Sequence, residues 1–281
     1  MRSSRRPGAP GAEPRPARCR LDQLLQQRGL APSRAAAQAY VLAGRVFSGA
    51  ERLDKPGTRL PHDAPLALRP GAPFVGRGGV KLAGALERFG LGVAGLDVLD
   101  VGASTGGFTD ALLRAGAGRV IALDVGRGQL DWSLRNDPRV HALEGVNARR
   151  LEPARLPFVP ALAVIDVSFI SLRLVLPAVV NCLAAGGEVV ALVKPQFEVG
   201  RAAVGRGGIV RDGRLHHDVL LRIAEFARER GWGVADVCAS PLRGSDGNRE
   251  FFLRLRPDGG GLERAERERR IAAALAERDP A

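Results

Sequence analysis

A doubly wound α/β domain, preceded by a small α+β module, is the fold class this sequence predicts. Three observations lead there. From residue 97 onward, short apolar runs alternate with helical patterns. Several runs, such as Ala161–Ile165 and Val189–Val193, are apolar almost without interruption, as parallel strands covered on both faces must be. Ahead of them, residues 19–72 hold two short helical patterns and a few small extended pieces, enough for a modest core.

Residues 1–18 are rich in Arg and Pro and are expected to form a disordered basic arm. Leu21, Leu24 and Leu25 then share one helical face, and Gly29 ends it. Ser33 stands where it caps a second helix reaching Ala43, closed by Gly44. Extended pieces are expected at Arg45–Ser48 and Ala64–Leu68, with turn chemistry at Lys55-Pro56-Gly57. A linker is expected over 73–80, and a helix over Val80–Phe89. The large domain, 81–257, is expected to place strands at Asp97–Val101, Arg119–Leu123, Val140–Leu143, Leu162–Asp166, Glu188–Val193, Gly233–Cys238 and Glu250–Arg256. Its helices are expected at Gly107–Ala115, Gly126–Arg135, Ser171–Ala184 and Leu215–Arg230. The remainder, 258–281, is a charged tail with a helix or frayed appendage over Leu262–Glu277.

Composition excludes several classes. The chain of 281 residues is 45% hydrophobic and 26% charged, ordinary for a soluble globular protein. Cys19, Cys182 and Cys238 are too few and too scattered for a disulfide framework or a cysteine zinc site. The longest apolar stretch, Pro160–Leu176, is broken by Asp166 and Arg173, so no membrane span is expected. The Arg- and Pro-rich start lacks the apolar core of a secretory signal, which points to the cytoplasm. Basic residues outnumber acidic ones by 42 to 30, and the net charge of +12 favours a polyanion such as nucleic acid. Only three of those basic residues are lysines, Lys55, Lys81 and Lys194. Arg cannot replace an amine that transfers a proton, so the three are candidates for chemistry.

The stretch Leu99–Phe108 ends a buried strand in a turn of small residues and opens a helix near Gly107. Gly102, Ala103, Ser104, Thr105, Gly106 and Gly107 are therefore expected to bring backbone amides to a ligand at the carboxyl edge of the sheet. A dinucleotide site wants Gly-x-Gly-x-x-Gly, and Ala103-Ser104 breaks that spacing. Gly102–Gly106 matches the hydrolase string Gly-x-Ser-x-Gly, yet it follows the first strand and no acid and His complete a triad. His216 and His217 read instead as a solvated helix start. S-adenosylmethionine is the third reading. Asp124, at the end of the next strand, would accept from both ribose hydroxyls, although NAD folds use a carboxylate the same way. Asn147, after the third strand, would face the adenine.

Asp166 and Lys194 end apolar strands, and both are expected at the edge that carries the glycine turn. Glu250 starts the last strand, which reaches the same edge if antiparallel, and Lys81 opens the helix leading into the domain. The strings Arg77-Gly-Gly-Val-Lys-Leu82, Asp100–Thr109, Asp124–Leu130, Ile165–Ser171 and Val193-Lys-Pro-Gln-Phe-Glu198 resemble the TlyA/hemolysin A family. The resemblance runs from about residue 19 to 256. It implies a Rossmann-like, FtsJ-like methyltransferase domain behind an S4-like RNA-binding domain, with S-adenosylmethionine as cofactor. The implied activity is 2'-O-methylation of ribosomal RNA, on a cytidine, with rRNA or a ribosomal subunit as partner. The front module resembles S4 through Arg20-Leu21-Asp22, Ser33-Arg34, Ala43–Val46 and Lys55-Pro56-Gly57. Two departures are Ala72-Pro-Phe-Val75, where some members carry Trp, and Phe47-Ser-Gly-Ala50, where S4 domains usually show Val-Asn-Gly.

The family's Lys-Asp-Lys-Glu catalytic tetrad maps onto Lys81, Asp166, Lys194 and Glu250, with Asp166 also on the cofactor side. Lys194 is then expected to take the proton of a ribose 2'-hydroxyl, and Lys81 to steer or stabilise the incipient oxyanion. Arg20, Arg34, Arg45 and Lys55 are expected to touch RNA phosphates. No metal is expected. A non-catalytic RNA-binding or ribosome-assembly protein and a small-molecule methyltransferase are the soluble alternatives. A membrane-lytic hemolysin, suggested by the family's name, lacks an apolar span or insertion helix.

Overall fold

The computed structural model describes residues 18–42, 44–69, 73–200, 203–205, 207–257 and 261–277. Nearly all of the expected basic arm, 1–17, lies outside them, as do 258–260 and 278–281 of the expected tail. The chain divides into two units, Met1–Ala72 and Pro73–Ala281.

The first unit runs β1 (Arg18–Arg20), α1 (Leu21–Gln27), α2 (Arg34–Leu42), β2 (Val46–Ser48), β3 (Glu51–Arg52), β4 (Arg59–Pro61) and β5 (Leu66–Leu68). Arg18 is thus a strand residue, paired with Pro61, and not the end of an arm. Strands of two or three residues leave no periodicity to read, which is why β1, β3 and β4 were not expected. As expected, Ser33 caps α2, its Oγ accepting from the Ala36 N–H at 3.1 Å. Leu21, Leu25, Ala37, Val41 and Val46 form the core. Burying each of its larger side chains contributes about 1.5–3 kcal/mol.

The second unit opens with α3 (Arg77–Arg88), β6 (Asp97–Val101), α4 (Gly107–Arg114), β7 (Arg119–Asp124), α5 (Trp132–Arg135) and β8 (Val140–Glu144). It continues with β9 (Leu162–Ile165), α6 (Leu172–Val180), β10 (Glu188–Val193), α7 (Pro195–Glu198), α8 (Gly213–Arg228), β11 (Trp232–Ala239), β12 (Phe251–Pro257) and α9 (Arg264–Ala276). The sheet has seven strands in the order β11-β12-β10-β9-β6-β7-β8. Every pairing from β8 to β10 is parallel, and β12 runs against both of its neighbours. One core packs Leu99, Val101, Ile121 and Ile165 against α6 and α8. The other packs Val98, Val120, Leu162 and Val164 against α3 and α4. Consecutive strand residues thus alternate between two buried faces, so the domain is doubly wound.

Four expectations need correction. The segment 73–80 is not all linker: α3 begins at Arg77, with Gly76 as its N-cap. The helix expected over Gly126–Arg135 is only the one turn of α5, because Gly128 turns left-handed at φ +69° and breaks a right-handed helix; the Asp124 and Glu144 side chains accept from the N–H groups of Gly126 and Gly128. His216 is no solvated helix start; it is buried, with Nε2 3.0 Å from the Val210 carbonyl and its ring against Phe251. The tail's helix is no frayed appendage, since Ile271 and Ala274 of α9 are buried in the first of the two sheet cores. Among the described residues no helix is long and apolar enough to cross a membrane.

Candidate active site

The sheet order reverses between β6 and β9. Chain order goes outward from β6 through β7 to β8, then returns to β9 on the other side. The carboxyl ends at such a switch point leave a crevice where ligands bind. Val101 pairs with Ile165, so Gly102 and Asp166 leave the two strands side by side. Gly102 adopts φ +89°, and a Cβ there would lie 2.3 Å from the Asp166 carbonyl oxygen. Only glycine meets both demands. A second close approach lies beside it, where a Cβ on Gly107 would come within 3.0 Å of the Gly79 backbone nitrogen. The N-termini of α3 and α4 therefore touch through glycines, a role for Gly78-Gly79 that sequence reasoning missed.

A cavity of about 740 Å³ fills the crevice. Of the residues expected to bind cofactor, Gly102, Ser104, Asp124, Asn147 and Asp166 line it. Ala103, Thr105, Gly106 and Gly107 do not line it and instead shape the turn behind. Asp124 accepts from Ser104 N–H at 2.8 Å and Gly126 N–H at 2.7 Å. An ionised carboxylate has about four acceptor sites, so two remain for the hydroxyls of a ribose. Asn147 Oδ1 accepts from the Arg149 N–H at 3.0 Å, which leaves its amide nitrogen to donate to a base edge. These donors and acceptors suit a nucleoside-bearing cofactor. A second hollow of about 780 Å³, beside Trp232 and Arg267, gathers none of the strand-end residues.

The four catalytic candidates, Asp166, Lys194 and Glu250 at strand ends and Lys81 on α3, resolve into two ion pairs. Val193 pairs with Phe251 across β10 and β12, which sets Lys194 opposite Glu250. Lys194 Nζ lies 2.6 Å from Asp166 Oδ1 and donates to Ser168 Oγ at 2.9 Å. Lys81 Nζ donates to Glu250 Oε2 at 2.6 Å, both side chains being buried. Burial pushes the Glu250 carboxyl up, and Lys81 and then Lys194 oppose that rise. Asp166 and Ser168 line the cavity; Lys194, Lys81 and Glu250 do not, and the Lys194 amine is bonded to those two lining residues from beside it. The site thus holds an amine fixed by two acceptors, a second amine fixed by one, and room for a nucleoside.

Sequence reasoning also missed Ser168, Phe169 and Phe197. Phe169 holds φ +64° and is 90% exposed, with its ring 5.0 Å from that of Phe197 at the cavity. Ser104 is the other non-glycine residue with positive φ among those described, at +49°. Such backbone costs about 1–3 kcal/mol and clusters at functional sites. Nothing in the side-chain pattern marks a positive φ at a serine or phenylalanine.

Behind the turn, Asp100 is fully buried on β6 and accepts from Thr109 Oγ1 at 2.6 Å. Burial, with lesser contributions from the Asp166 and Asp124 charges, pushes its carboxyl up to about 7. The folded chain then holds a proton that the unfolded chain, with a carboxyl near 4, has released. This contribution to stability is complete below about pH 4 and is lost as pH rises through about 7. The melting temperature of the wild type, relative to Asp100→Asn, is expected to fall between pH 5 and 7 and level off above. A difference that stays constant from pH 5 to 8 would contradict this. Among the described residues no group of three or more His, Cys, Asp or Glu is placed to hold a metal ion.

In the first unit, Arg20 and Arg34 converge on the buried Asp22, each with a nitrogen 3.0 Å from its Oδ2. Hydrogen bonds from Arg20, then from Gln38 and Arg34, hold the Asp22 carboxyl well below the usual carboxylate range. These two arginines are positioned by an internal anchor while staying partly exposed. Arg45 stacks over the Tyr40 ring at 4.4 Å, and the Lys55 residue is exposed.

Comparison with known proteins agrees with both units. The sequence model described as FtsJ-like methyltransferase matches residues 74–256, and the S4 domain model matches 19–64. The chain is 49% identical over 241 residues to the protein of Mycobacterium tuberculosis (strain ATCC 25618 / H37Rv) named 16S/23S rRNA (cytidine-2'-O)-methyltransferase TlyA. That alignment spans 85% of this chain and 90% of the relative. It is 37% identical over 234 residues to Hemolysin A of Brachyspira hyodysenteriae, spanning 83% of this chain and 98% of that protein. Among solved structures, a hemolysin-named protein of Streptococcus thermophilus superposes with a TM-score of 0.69 at 42% identity, over 92% of this chain and 95% of its own.

Proposed function

We propose, from the premise that this chain belongs to the TlyA/hemolysin A family of FtsJ-like methyltransferases, that it methylates a ribose 2'-hydroxyl of ribosomal RNA. The observation that carries the reading is the Lys194 amine, held at 2.6 Å by Asp166 and at 2.9 Å by Ser168, two residues that line a nucleoside-sized cavity. S-adenosylmethionine fits the residues of that cavity. Gly102 and Ser104 would take its amino-acid end, Asp124 its ribose and Asn147 its adenine, and when bound it supplies an electrophilic methyl group.

A sugar hydroxyl is a weak nucleophile until its proton has somewhere to go. Once its own extra proton has passed to solvent, the neutral Nζ of Lys194 has a lone pair to accept that proton, and Asp166 and Ser168, which still receive its remaining N–H groups, aim the amine. Lys81 supplies a second positive charge to the developing oxyanion, and Glu250 fixes where that charge sits. The exposed ring of Phe169 offers a face on which an unstacked base can lie. Arg20, Arg34, Arg45 and Lys55 contact RNA phosphates on the S4 unit, in keeping with the +12 charge. The TlyA relative's name specifies cytidine, and cytidine is the target we assign here; the site of action is the cytoplasm, where ribosomes are.

The test is direct. Purified protein is incubated with ribosomal subunits and S-adenosylmethionine carrying a labelled methyl group, and the rRNA is digested to nucleosides. Label is expected in 2'-O-methylcytidine. Label on a base or on protein, or no label at all, would remove the proposal.

A further inference from the structure

The residues just before Glu250 anchor two other parts of the chain. The buried Asn248 accepts from the Val210 N–H at 2.9 Å and donates to the Gly208 carbonyl at 2.9 Å. Arg249 reaches α9: Nη1 donates to the Leu275 carbonyl at 2.7 Å, and Nη2 to those of Ala274 at 3.0 Å and Glu277 at 2.6 Å. The last carbonyls of a helix lack partners within it and form its negative pole, so a guanidinium is well matched to them. A second tie leaves the same helix end, where the Glu277 carboxylate pairs with Arg88 of α3. Arg88 lies seven residues, two helical turns, beyond Lys81 and on the same side of that helix.

The end of α9 is therefore bonded to both segments that deliver the buried pair: the loop carrying Glu250 and the helix carrying Lys81. Its own position is set by Ile271 and Ala274, both buried. We propose that Arg249 is a positioning residue, and that through it the C-terminal helix sets the placement of Glu250 against Lys81. This rests on reading Lys81 and Glu250 as part of the methyl-transfer site. Backbone at the mouth of a strand is free to shift by fractions of an ångström unless tied. A misplacement of about 1 Å at a reacting centre costs on the order of 100-fold in rate.

The experiment uses the full chain with Arg249→Met, Arg249→Lys, Glu250→Gln and the Arg249→Met/Glu250→Gln double variant. Arg249→Met is expected to lower kcat about 10- to 100-fold, with KM for the ribosomal substrate and the Kd of S-adenosylmethionine within about twofold. Arg249→Lys is expected to recover part of the loss. In the Glu250→Gln background, Arg249→Met is expected to add less than about twofold, because what it positions is already impaired. Full multiplication of the two losses, or an Arg249→Met enzyme within twofold of wild type, would overturn the proposal.

A spectroscopic readout separates this idea from the activity itself. The chain has three lysines, so protein labelled with ¹³C at lysine Cε gives three signals, assignable by single Lys→Arg variants. The Lys81 signal is expected to move in Arg249→Met while that of Lys55 stays, and an unmoved Lys81 signal overturns the proposal. A moved Lys81 signal in a protein that does not methylate rRNA would uphold the latch and remove the proposed function instead. Should Arg249→Met fail to fold, Glu277→Gln keeps the Arg249 bonds to the carbonyls and removes the Arg88 tie. It is expected to shift the Lys81 signal in the same direction, and no shift counts against the latch.

Discussion

Lys194→Ala is expected to abolish methyl transfer, lowering kcat by about 1,000-fold or more while the Kd of S-adenosylmethionine stays within about twofold. Removal of a positioned acid or base costs about 10²–10⁴ in rate. Of the residues assigned to the cofactor, Gly102, Ser104, Asp124 and Asn147 make no bond to Lys194, and Asp166, which does, keeps its carboxylate at the cavity. Lys194→Arg is expected to fail as completely, although it keeps the charge and the ion pair with Asp166. A guanidinium does not give up its proton in a protein. The two variants together separate charge from proton transfer. Single-turnover methylation of ribosomal subunits, with calorimetry for the cofactor, is the measurement. An Arg variant with a tenth or more of wild-type rate would show that position 194 acts only as a charge.

Gly102→Ala is the second large effect, and it acts on binding and folding together. The new Cβ would stand 2.3 Å from the Asp166 carbonyl oxygen, at a φ of +89°. Backbone on both sides leaves little room to yield: Gly102 N–H is bonded to the Leu123 carbonyl at 2.8 Å, and Asp166 N–H to that of Val101 at 2.9 Å. Conformational strain of about 1–3 kcal/mol adds to the overlap. A total near 3 kcal/mol would lower the melting temperature by roughly 6–12 °C in a domain of this size. Because the same shift displaces Asp166 and the floor of the cavity, the affinity for S-adenosylmethionine is expected to fall about 100-fold. Scanning fluorimetry and equilibrium binding read the two effects. Unchanged affinity would mean that the turn at Gly102 does not form the cofactor site.

Much of this site is legible along the chain because its parts are local. A strand that ends in Val101 and a run of small residues is a local pattern, and so are apolar runs that end in Asp166 and Lys194. The rarity of lysine adds to it, since two of the three lysines fall in the two buried or half-buried pairs. Phe169 is not legible, because a positive φ at a phenylalanine is imposed by its surroundings. Nor is the loop in place of a helix at Gly126, where Gly128 turns left-handed at φ +69° and gives its N–H to the side chain of Glu144, sixteen positions along.

The sequence by itself determined the class of the fold, the strand ends that matter, the glycine turn and the chemical types gathered there. Periodicity and turn chemistry depend on neighbours a few residues away, and those are written in order along the chain. Only the tertiary structure decided that Lys81 pairs with Glu250 and Lys194 with Asp166. It also docked the charged C-terminal segment as a packed helix instead of a tail. Those facts follow from which strands lie side by side and from the reversed direction of β12, which join residues up to 169 positions apart. Adjacency over such distances comes from the closing of the whole core, where burial of many side chains is settled at once, and no local window contains it.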